Sequence, residues 1–495
     1  MTGRKIFELS SYGCKTACAV IFLCVATAIG AHAQVFTKLA DLGGSNVGTV
    51  PMSPLVQGRD GNLYGTANGG GILGAGTVFK VTPKGTLTTL YRFCIAPNCT
   101  DGERPFGGLV LATDGNFYGT TGGGGTGSDC TFCGTVFKIT PAGALTTLYN
   151  FCSKPNCADG EWPWAGLIQV AGGDFFGTTD LGGSRGINGD GTVFKITSTG
   201  TLTTLLNFDS FNGAVGADPL APLVQGTDGN FYGTTESGGT NGLGTVFKIT
   251  ARGTPKAVHS FKGTDGASPY AGLIQGADGN FYGTTREYGD NTNCAYGCGT
   301  VFSITPGGIL TTLHAFEYTD GAYPFAALVQ ATDGNFYGVT YGGGNSLCAN
   351  GGLNGCGTIF QITPDGLLTT VHIFDGADGA NPWGGLVQAT NGVLYGTTYL
   401  GGTYDVGTIF SLDMGLSPFV TFVRAAGKVG QTGGILGQGF KGTTDVSLNG
   451  NRANFTVVSD TYIRATVPAG ATTGYVTVTT PTGVLTSNVP FHVIP

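Results

Sequence analysis

The sequence predicts an all-β protein: a seven-bladed β-propeller followed by an immunoglobulin-like β-sandwich. Three observations lead to this fold class: phrases such as TDGNFYGTT recur along the chain, 91 of the 495 residues are glycine, and the pattern changes near residue 415. The glycines stand among aromatic and β-branched residues, so they indicate tight turns between short strands rather than a low-complexity tail.

Seven repeat units align along the chain. Each contains four short strands, predicted in the fourth unit at 222–226, 230–235, 244–250 and 254–261. A four-stranded unit of about 50 residues is typical of a propeller blade, and a stacked solenoid is the alternative. The first strands of the units begin near Leu55, Leu109, Leu167, Leu223, Leu273, Leu328 and Leu386.

The two ends of the repeat region favour the ring. The seventh unit supplies only three strands, whereas VFTKLADL at residues 35–42 has the pattern of the missing fourth. A solenoid would need capping repeats at both ends. We therefore expect residues 37–42 to close the seventh blade as its outer strand.

The first 33 residues have the form of a secretory signal peptide. Arg4, Lys5 and Lys15 precede an apolar run at 17–28 and a small-x-small cleavage site at 31–33. No later stretch is long enough to span a membrane. We expect a monomeric protein that is secreted or at the cell surface, with the periplasm as an alternative, a propeller over 34–414 and a sandwich over 415–495.

The charge pattern argues against nucleic acid as a partner. The formal net charge is −7, only 11% of residues are charged, and no basic run occurs. Nucleic-acid binding draws its affinity from the neutralisation of phosphates by lysine and arginine.

Two parts of the sequence resemble known families. The segment LVQGTDGNFYGTT with the later GTVFKIT is similar to the GloVer repeats of bacterial choice-of-anchor tandem-repeat proteins, over about 55–412. This resemblance implies an exported bacterial protein and leaves its activity open; such proteins commonly end in a surface anchor, which this chain does not show. The phrases ILGQGFKGTTDVSLNG and SDTYIRATVPAGATTGYVTVTTPTG resemble an IPT/TIG immunoglobulin-like domain, a module of exported surface proteins and of DNA-binding factors.

The loops between blades are the first candidate for a ligand site. Because blade strands alternate in direction, the Asp-Gly and Thr-Pro-x-Gly turns share one face, and all long variable loops share the other. Aromatic rings there could stack on sugars while carboxylates accept hydroxyl hydrogen bonds; the alternative is that the rings wedge between blades and each Asp caps its turn. The candidates are Trp164, Trp383, Tyr270, Phe106 and Phe325, with Asp101, Asp159, Asp265, Asp320 and Asp378.

Ten cysteines outside the signal fall into neighbouring pairs on the same loop-rich face. An even number in an exported chain predicts disulfides. Cys130-Thr131-Phe132-Cys133 also fits redox chemistry or, with Cys94 and Cys99, a zinc site. The pairs are Cys94/Cys99, Cys130/Cys133, Cys152/Cys157, Cys294/Cys298 and Cys348/Cys356, and cross-pairing between the first two remains open.

Motifs for catalysis or a cofactor are not evident. No nucleophile elbow, His-Glu-x-x-His or P-loop pattern occurs. His259, His314 and His372 share one repeat position, where exposed strand residues are expected rather than metal ligands. Calcium has no motif, although loop acids could bind it: Asp180, Asp190, Glu287, Asp290 and Asp405.

These features favour an exported, non-enzymatic binding or adhesion protein whose propeller loops contact a glycan or another cell-surface polymer. Two alternatives stay open. One is a polysaccharide hydrolase or lyase that uses loop carboxylates, since paired acids have no fixed spacing in sequence. The other is a structural component of a surface layer, suggested by the low charge and high glycine content.

Overall fold

A computed structural model of the chain describes residues 34–43, 47–71, 73–127, 133–187, 189–209, 215–289, 294–344, 348 and 355–494. These residues belong to one compact unit, Gln34–Pro495. The unit is built from β-strands, and the helices among the described residues are two short 3₁₀ turns, Pro97–Cys99 and Pro155–Cys157. No helix in this part of the chain is long and apolar enough to cross a membrane.

Seven four-stranded antiparallel sheets follow one another along the repeat region and give a propeller-like fold. The strands are Val56–Gln57, Leu63–Ala67, Thr77–Val81 and Leu87–Arg92 (β2–β5, sheet 1); Val110–Leu111, Phe117–Thr121, Thr135–Ile139 and Leu145–Asn150 (β6–β9, sheet 2); Ile168–Gln169, Phe175–Thr179, Thr192–Ile196 and Leu202–Asn207 (β10–β13, sheet 3); Val224–Gln225, Phe231–Thr235, Thr245–Ile249 and Pro255–Ser260 (β14–β17, sheet 4); Ile274–Gln275, Phe281–Thr285, Thr300–Ile304 and Leu310–Ala315 (β18–β21, sheet 5); Val329–Gln330, Phe336–Thr340, Thr358–Ile362 and Leu368–Ile373 (β22–β25, sheet 6); and Val387–Gln388, Leu394–Thr398 and Thr408–Asp413 (β26–β28) with Val35–Asp41 (β1) in sheet 7.

Sheet 7 differs from the others in the origin of its fourth strand. In sheets 1 to 6 four consecutive strands pair in chain order. In sheet 7 the N-terminal strand β1 pairs antiparallel with β28, from Val35 opposite Asp413 to Asp41 opposite Thr408. The strand that the sequence assigned to this place therefore occupies it.

The second strand of each sheet is buried on both faces, because it lies between two neighbouring strands and two neighbouring sheets. In sheet 2, Phe117 stacks on Tyr64 of sheet 1 at 4.2 Å between ring centroids, and Tyr118 stacks on Phe175 of sheet 3 at the same distance. Gly119 has no room for a side chain, since a Cβ there would lie 2.6 Å from the Phe137 ring. The repeated letters FYG are thus explained by packing between sheets.

A glutamine at the end of the first strand links neighbouring sheets. Gln169 Oε1 of sheet 3 accepts the backbone N–H of Thr113 in sheet 2 at 2.9 Å. Gln57 of sheet 1 accepts the N–H of Thr390 in sheet 7, also at 2.9 Å, although 333 residues separate them. The same bond joins Thr227 to Gln275, Ala277 to Gln330 and Thr332 to Gln388.

Within the same compact unit, the C-terminal segment forms a module of two four-stranded sheets and one two-stranded sheet. Its strands are Thr421–Phe422, Thr432–Leu436, Tyr462–Thr466 and Phe455–Ser459 (β29, β31, β35, β34) in one sheet, Asn451–Arg452, Asp445–Leu448, Val476–Thr480 and Gly483–Thr486 (β33, β32, β36, β37) in the other, and the parallel pair Ala426–Lys428 and His492–Ile494 (β30, β38). Buried residues of both sheets, such as Ile435, Ile463, Val446 and Val478, share one apolar cluster. Alternation of buried and exposed residues along these strands produces this core.

Candidate functional site

The first strands of six sheets and, in sheet 4, residues 220–223 immediately before its first strand line one central cavity of about 1130 Å³. Each of these inner strands runs from an inter-sheet loop, here called the loop end, to an Asp-Gly or equivalent turn, called the turn end. The C-terminal module supplies the wall at the turn end, where Phe419, Phe422, Leu436, Tyr475 and Val489 line the same cavity.

The turn end carries the contacts that hold the C-terminal module. The Arg59 guanidinium lies 4.5 Å from the centroid of the Tyr462 ring, and Thr461 Oγ1 donates to the Arg59 carbonyl at 2.6 Å. On sheet 3, Arg424 Nη1 donates to the carbonyl of Ala171 at 2.7 Å. Leu436 and Tyr462 also share an apolar cluster with Leu111 of sheet 2.

All five candidate aromatic residues line the cavity at its loop end, and each is partly exposed. They form two groups across neighbouring sheets. Phe106 stacks on Trp164 with centroids 3.9 Å apart, and Phe325 stacks on Trp383 at 4.2 Å. Tyr270 meets Phe325 edge to face at 5.2 Å. The rings therefore both pack between sheets and keep exposed surface at the mouth of the cavity.

The five candidate aspartates have a different environment, and none of them is among the described residues that line the cavity. Asp101 accepts hydrogen bonds from the Tyr91 hydroxyl at 2.8 Å and from the backbone N–H of Ile95 at 3.1 Å. These carboxylates hold their own loops. The side-chain partners at the other four positions are Tyr149 for Asp159, His259 for Asp265, His314 for Asp320 and His372 for Asp378.

Disulfides close four of the loops, as the cysteine spacing predicted. The bonds join Cys94 to Cys99, Cys152 to Cys157, Cys294 to Cys298 and Cys348 to Cys356. Cys133 is also disulfide-bonded, whereas Cys130 lies outside the described residues. Since Cys94 and Cys99 bond to each other, they are not thiolate ligands for zinc here.

One loop position is held in the left-handed region in every sheet, yet never by glycine. It is the residue before the proline of the inter-sheet loop, with φ from 50° to 59°. In sheet 4, the N–H of Asp218 donates to the Asp190 carbonyl in the preceding loop at 3.1 Å, and the Asp218 carbonyl accepts from Glu236 at 3.0 Å. The backbone is thus fixed between two sheets while the side chain varies, at a conformational cost that glycine would avoid. The seven residues are Val50, Arg104, Trp162, Asp218, Ser268, Tyr323 and Asn381.

A second variable position follows the second strand of each sheet. Its backbone N–H donates to the carbonyl of the left-handed residue in the same sheet. These residues are Asn68, Gly122, Asp180, Glu236, Arg286, Tyr341 and Tyr399. We call the two sets together the rim. The backbone of the rim is nearly the same in every sheet, whereas its side chains differ from sheet to sheet. The rim differs in this respect from the turn end, where the side chains themselves are repeated.

The rim is acidic on sheets 3 and 4. Asp180, Asp218 and Glu236 are rim residues, and Glu161 precedes Trp162; together they are called the acidic patch. Asp180 is 9% exposed, and burial followed by the charges of Asp218, Glu236 and Glu161 raises its pKa to about 8. Asp180 is therefore protonated over much of the neutral range, unlike an ordinary aspartate.

The loop acids proposed for calcium are not brought together as one group. Asp180 belongs to the acidic patch, Asp190 pairs with Arg185 at 3.0 Å, and Glu287 pairs with Arg286 at 3.4 Å. Asp405 accepts the N–H of Gly401 within its own loop. Asp290 lies outside the described residues.

The sequence interpretation missed Trp162, Asp218, Glu236 and the docking surface for the C-terminal module. The signal for the first three was present, because comparing the repeats column by column separates variable positions from constant ones. Trp162 packs edge to face on Trp164 at 5.3 Å, so all three tryptophans of the chain lie at the loop end.

The repeats match the Gloeobacter/Verrucomicrobia repeat model at residues 25–185, 98–295 and 186–347. These matches extend over more than half of the 495-residue chain, and the chain belongs to this repeat family. No curated protein matches it.

Solved structures are similar at low identity. An extracellular domain from B. thetaiotaomicron, provisionally assigned to a hybrid two-component system, matches with a TM-score of 0.47 and 10% identity; the chain spans 57% of that domain, with 93% of its own length covered. A protein from Bacteroides uniformis provisionally assigned as a 6-phosphogluconolactonase has a TM-score of 0.41 and 17% identity, over 65% of this chain and 84% of that one. A B. thetaiotaomicron protein of unknown function matches with a TM-score of 0.41 and 13% identity, over 77% of this chain and 76% of that one. Likeness at this level indicates nothing about ligands.

Proposed function

We propose that the seven sheets form a closed seven-bladed propeller over residues 34–414, completed by the N-terminal strand, with residues 415–495 as an IPT/TIG immunoglobulin-like module. The bonds between Gln57 and Thr390 and the pairing of β1 with β28 support closure. The disulfides support an exported protein, because such bonds persist in oxidising compartments. Residues 1–33 are then the signal that is removed.

We further propose that the protein binds a glycan, without cleaving it, at the loop end of the cavity. The observation that carries this proposal is the set of partly exposed aromatic rings from five sheets at the mouth of a cavity that the C-terminal module lines at its other end. Sugar rings present apolar C–H faces that stack on aromatic side chains, and their hydroxyls need polar partners at the edge.

The rim supplies such polar partners around the rings. Asp218, Glu236 and Tyr323 stand at rim positions between and beside the aromatic groups and are partly exposed, whereas Asn381 is buried and donates to the Tyr341 and Gly355 carbonyls. Since the backbone at these positions is held by two sheets, the side chains are presented by a rigid frame, which lowers the ordering cost of binding.

A binding screen with the full chain tests this proposal. Soluble oligosaccharides and insoluble polysaccharides are presented, and binding is followed by tryptophan fluorescence and by co-sedimentation. We expect a saturable signal with at least one glycan, and about a tenfold loss of affinity in Trp164→Ala and in Trp383→Ala. Tyr296→Ala is the matched control, because Tyr296 is a loop aromatic that is 67% exposed and lies outside the cavity wall.

Two outcomes would count against the proposal. If no glycan binds, or if Tyr296→Ala weakens binding as much as Trp164→Ala, the aromatic cavity is not the site. Release of shorter oligosaccharides from a bound polymer would contradict the non-enzymatic role and favour the hydrolase.

A further inference from the structure

The described residues that line the central cavity are all uncharged, from the aromatic rings at the loop end to the C-terminal module at the turn end. Their side chains are apolar, amide or hydroxyl groups, as in Val56, Ile168, Gln330 and Thr486, and several of the residues are glycine. An ionised ligand group inside this cavity would lose its water without meeting an opposite charge, which is strongly unfavourable. The wall therefore suits a neutral molecule.

Backbone groups of the inner strands offer hydrogen bonds to the same space. The residue after each inner strand donates its N–H across the turn, as Gly58 does to the Asn62 carbonyl at 2.8 Å. Bonded and non-bonded pairs alternate in an antiparallel ladder, so the last residue of the inner strand directs its N–H and C=O away from the second strand. The other side of the inner strand is the cavity. In five sheets this last residue lines the cavity and presents one backbone donor and one acceptor: Gln57, Leu111, Gln275, Gln330 and Gln388.

The cavity also reaches solvent at the turn end, beside the C-terminal module. The module is hydrogen-bonded to sheets 1, 3 and 7. Farther round the ring, Ala277 and Thr332 at the turns of sheets 5 and 6 line the same cavity and are exposed. The module contributes Tyr475 and Val484 to this part of the wall, and they are 48% and 61% exposed. We call this gap between the module and sheets 5 and 6 the side opening.

The distance between the two ends of the cavity suits an extended chain. In sheet 6, the aromatic residue Phe325 lies at the loop end and Thr332 at the turn end, seven residues later. An extended strand rises about 3.3 Å per residue, so this segment spans at most about 23 Å. Aromatic rings stand at both ends, with Trp164 and Trp383 at the loop end and Tyr475 at the side opening. A ligand that contacts both ends is an oligomer rather than a single sugar.

From this wall we propose that the cavity selects an uncharged glycan chain that passes through the ring, from the aromatic rings of the loop end to the side opening beside Tyr475. The inference rests on the proposed glycan-binding function and specifies the charge and the path of the ligand. Sugar hydroxyls both donate and accept hydrogen bonds, so they match inner strands that present one backbone group of each kind. A chain that carries carboxylate or ammonium groups would have them desolvated inside the ring.

The first test compares three oligosaccharides of equal length by calorimetry on the full chain. They are cello-oligosaccharides, the same oligosaccharides oxidised to uronic acids, and chitosan oligosaccharides in mildly acidic buffer; any other neutral glycan that binds in the screen is compared with its oxidised form. We expect the neutral chain to bind at least about tenfold more tightly than either charged chain. The acidic rim would also repel a uronic acid, but salt screens that effect, so the preference for the neutral chain should persist at high salt.

The second test examines the path with Tyr475→Ala and a length series of the neutral oligosaccharide. We expect about a fivefold loss of affinity for chains long enough to reach the side opening, and no loss for the shortest chains that bind. Tyr296→Ala is again the control, since this exposed tyrosine lies outside the cavity wall.

The outcomes separate this inference from the function on which it rests. A charged chain that binds as tightly as the neutral one would overturn the selection, and full affinity of Tyr475→Ala for long chains would overturn the path. Either result would leave glycan binding intact. If no glycan binds in the screen, neutral or charged, the proposed function itself is overturned.

Discussion

The two ends of the inner strands differ in what the repeat keeps constant. At the turn end, side chains recur and bond to one another: Asp114 accepts from Asn116 and from the Tyr118 hydroxyl, and it pairs with Lys138. At the loop end, backbone bonds recur while the rim side chains change. The comparison shows that this fold uses repeated side chains to build sheets and repeated backbone to present different side chains.

The turn end has exceptions of its own, and three of them coincide with the C-terminal module. Arg59 replaces the Thr of TDGN, Leu111 replaces the linking glutamine, and VAGGD at 170–174 replaces the usual turn. Each departure lies at or beside a contact with the module. Variation therefore marks contact at both ends, with the module at one and, by our proposal, with a ligand at the other.

The largest expected effect comes from breaking the repeated packing. Phe117→Ala removes a fully buried ring that stacks on Tyr64, and we expect it to lower the free energy of unfolding by about 3–5 kcal/mol in urea denaturation. Tyr118→Phe is the milder comparison, since it removes only the bond to Asp114, worth about 1 kcal/mol. Similar losses for the two would show that packing does not dominate.

The rim residue Asp180 should differ from Phe117, because its ionised carboxylate destabilises the folded protein instead of stabilising it. The pKa of Asp180, about 8, lies above that of an unfolded aspartate, so protonation of Asp180 stabilises the folded protein at low pH. This contribution to stability is lost as the pH rises through 8. Relative to Asp180→Asn, the chain should lose several kcal/mol of stability as the pH rises from the pKa of an unfolded aspartate, near 4, to about 8. Thermal unfolding of both proteins across that range measures the difference; parallel curves would contradict it.

Removal of a loop disulfide should lower the free energy of unfolding by a smaller amount. Cys152→Ala with Cys157→Ala opens a loop of six residues, and the chain-entropy model gives a cost of about 2 kcal/mol. Hydrogen exchange should rise in this loop and leave the inner strands protected. Exchange that spreads through sheet 3 would mean that the bond supports the sheet itself.

The smallest effect is expected at the module contact. Arg59→Thr restores the repeated residue and removes the contact with the Tyr462 ring, which is worth about 1 kcal/mol. We expect faster hydrogen exchange in β35, with Arg252→Thr, an exposed turn residue of sheet 4, as the control. An unchanged β35 would show that Arg59 does not hold the module.

Much of the fold could be predicted from the sequence because local chemistry determines it. The repeated four-stranded sheets and the loop disulfides follow from turns, alternation and cysteine spacing, and the structure confirms both. The position of the C-terminal module could not be predicted, since Arg59 and Tyr462 are distant in sequence and neither shows its partner. Asp101 and its equivalents were proposed as ligand contacts, whereas their hydrogen bonds serve their own loops. The acidic patch escaped notice because its members come from two repeats and only the fold brings them together.

The central claim is that the aromatic end of the cavity is the ligand site, and the three tryptophans provide a direct test. Trp162, Trp164 and Trp383 all lie there. A fluorescence titration with a glycan that binds should therefore change the tryptophan emission along the same curve as binding measured by calorimetry, and Trp164→Ala should weaken both. Tight binding with unchanged emission, and with full affinity in Trp164→Ala and Trp383→Ala, would place the site elsewhere and contradict the proposal.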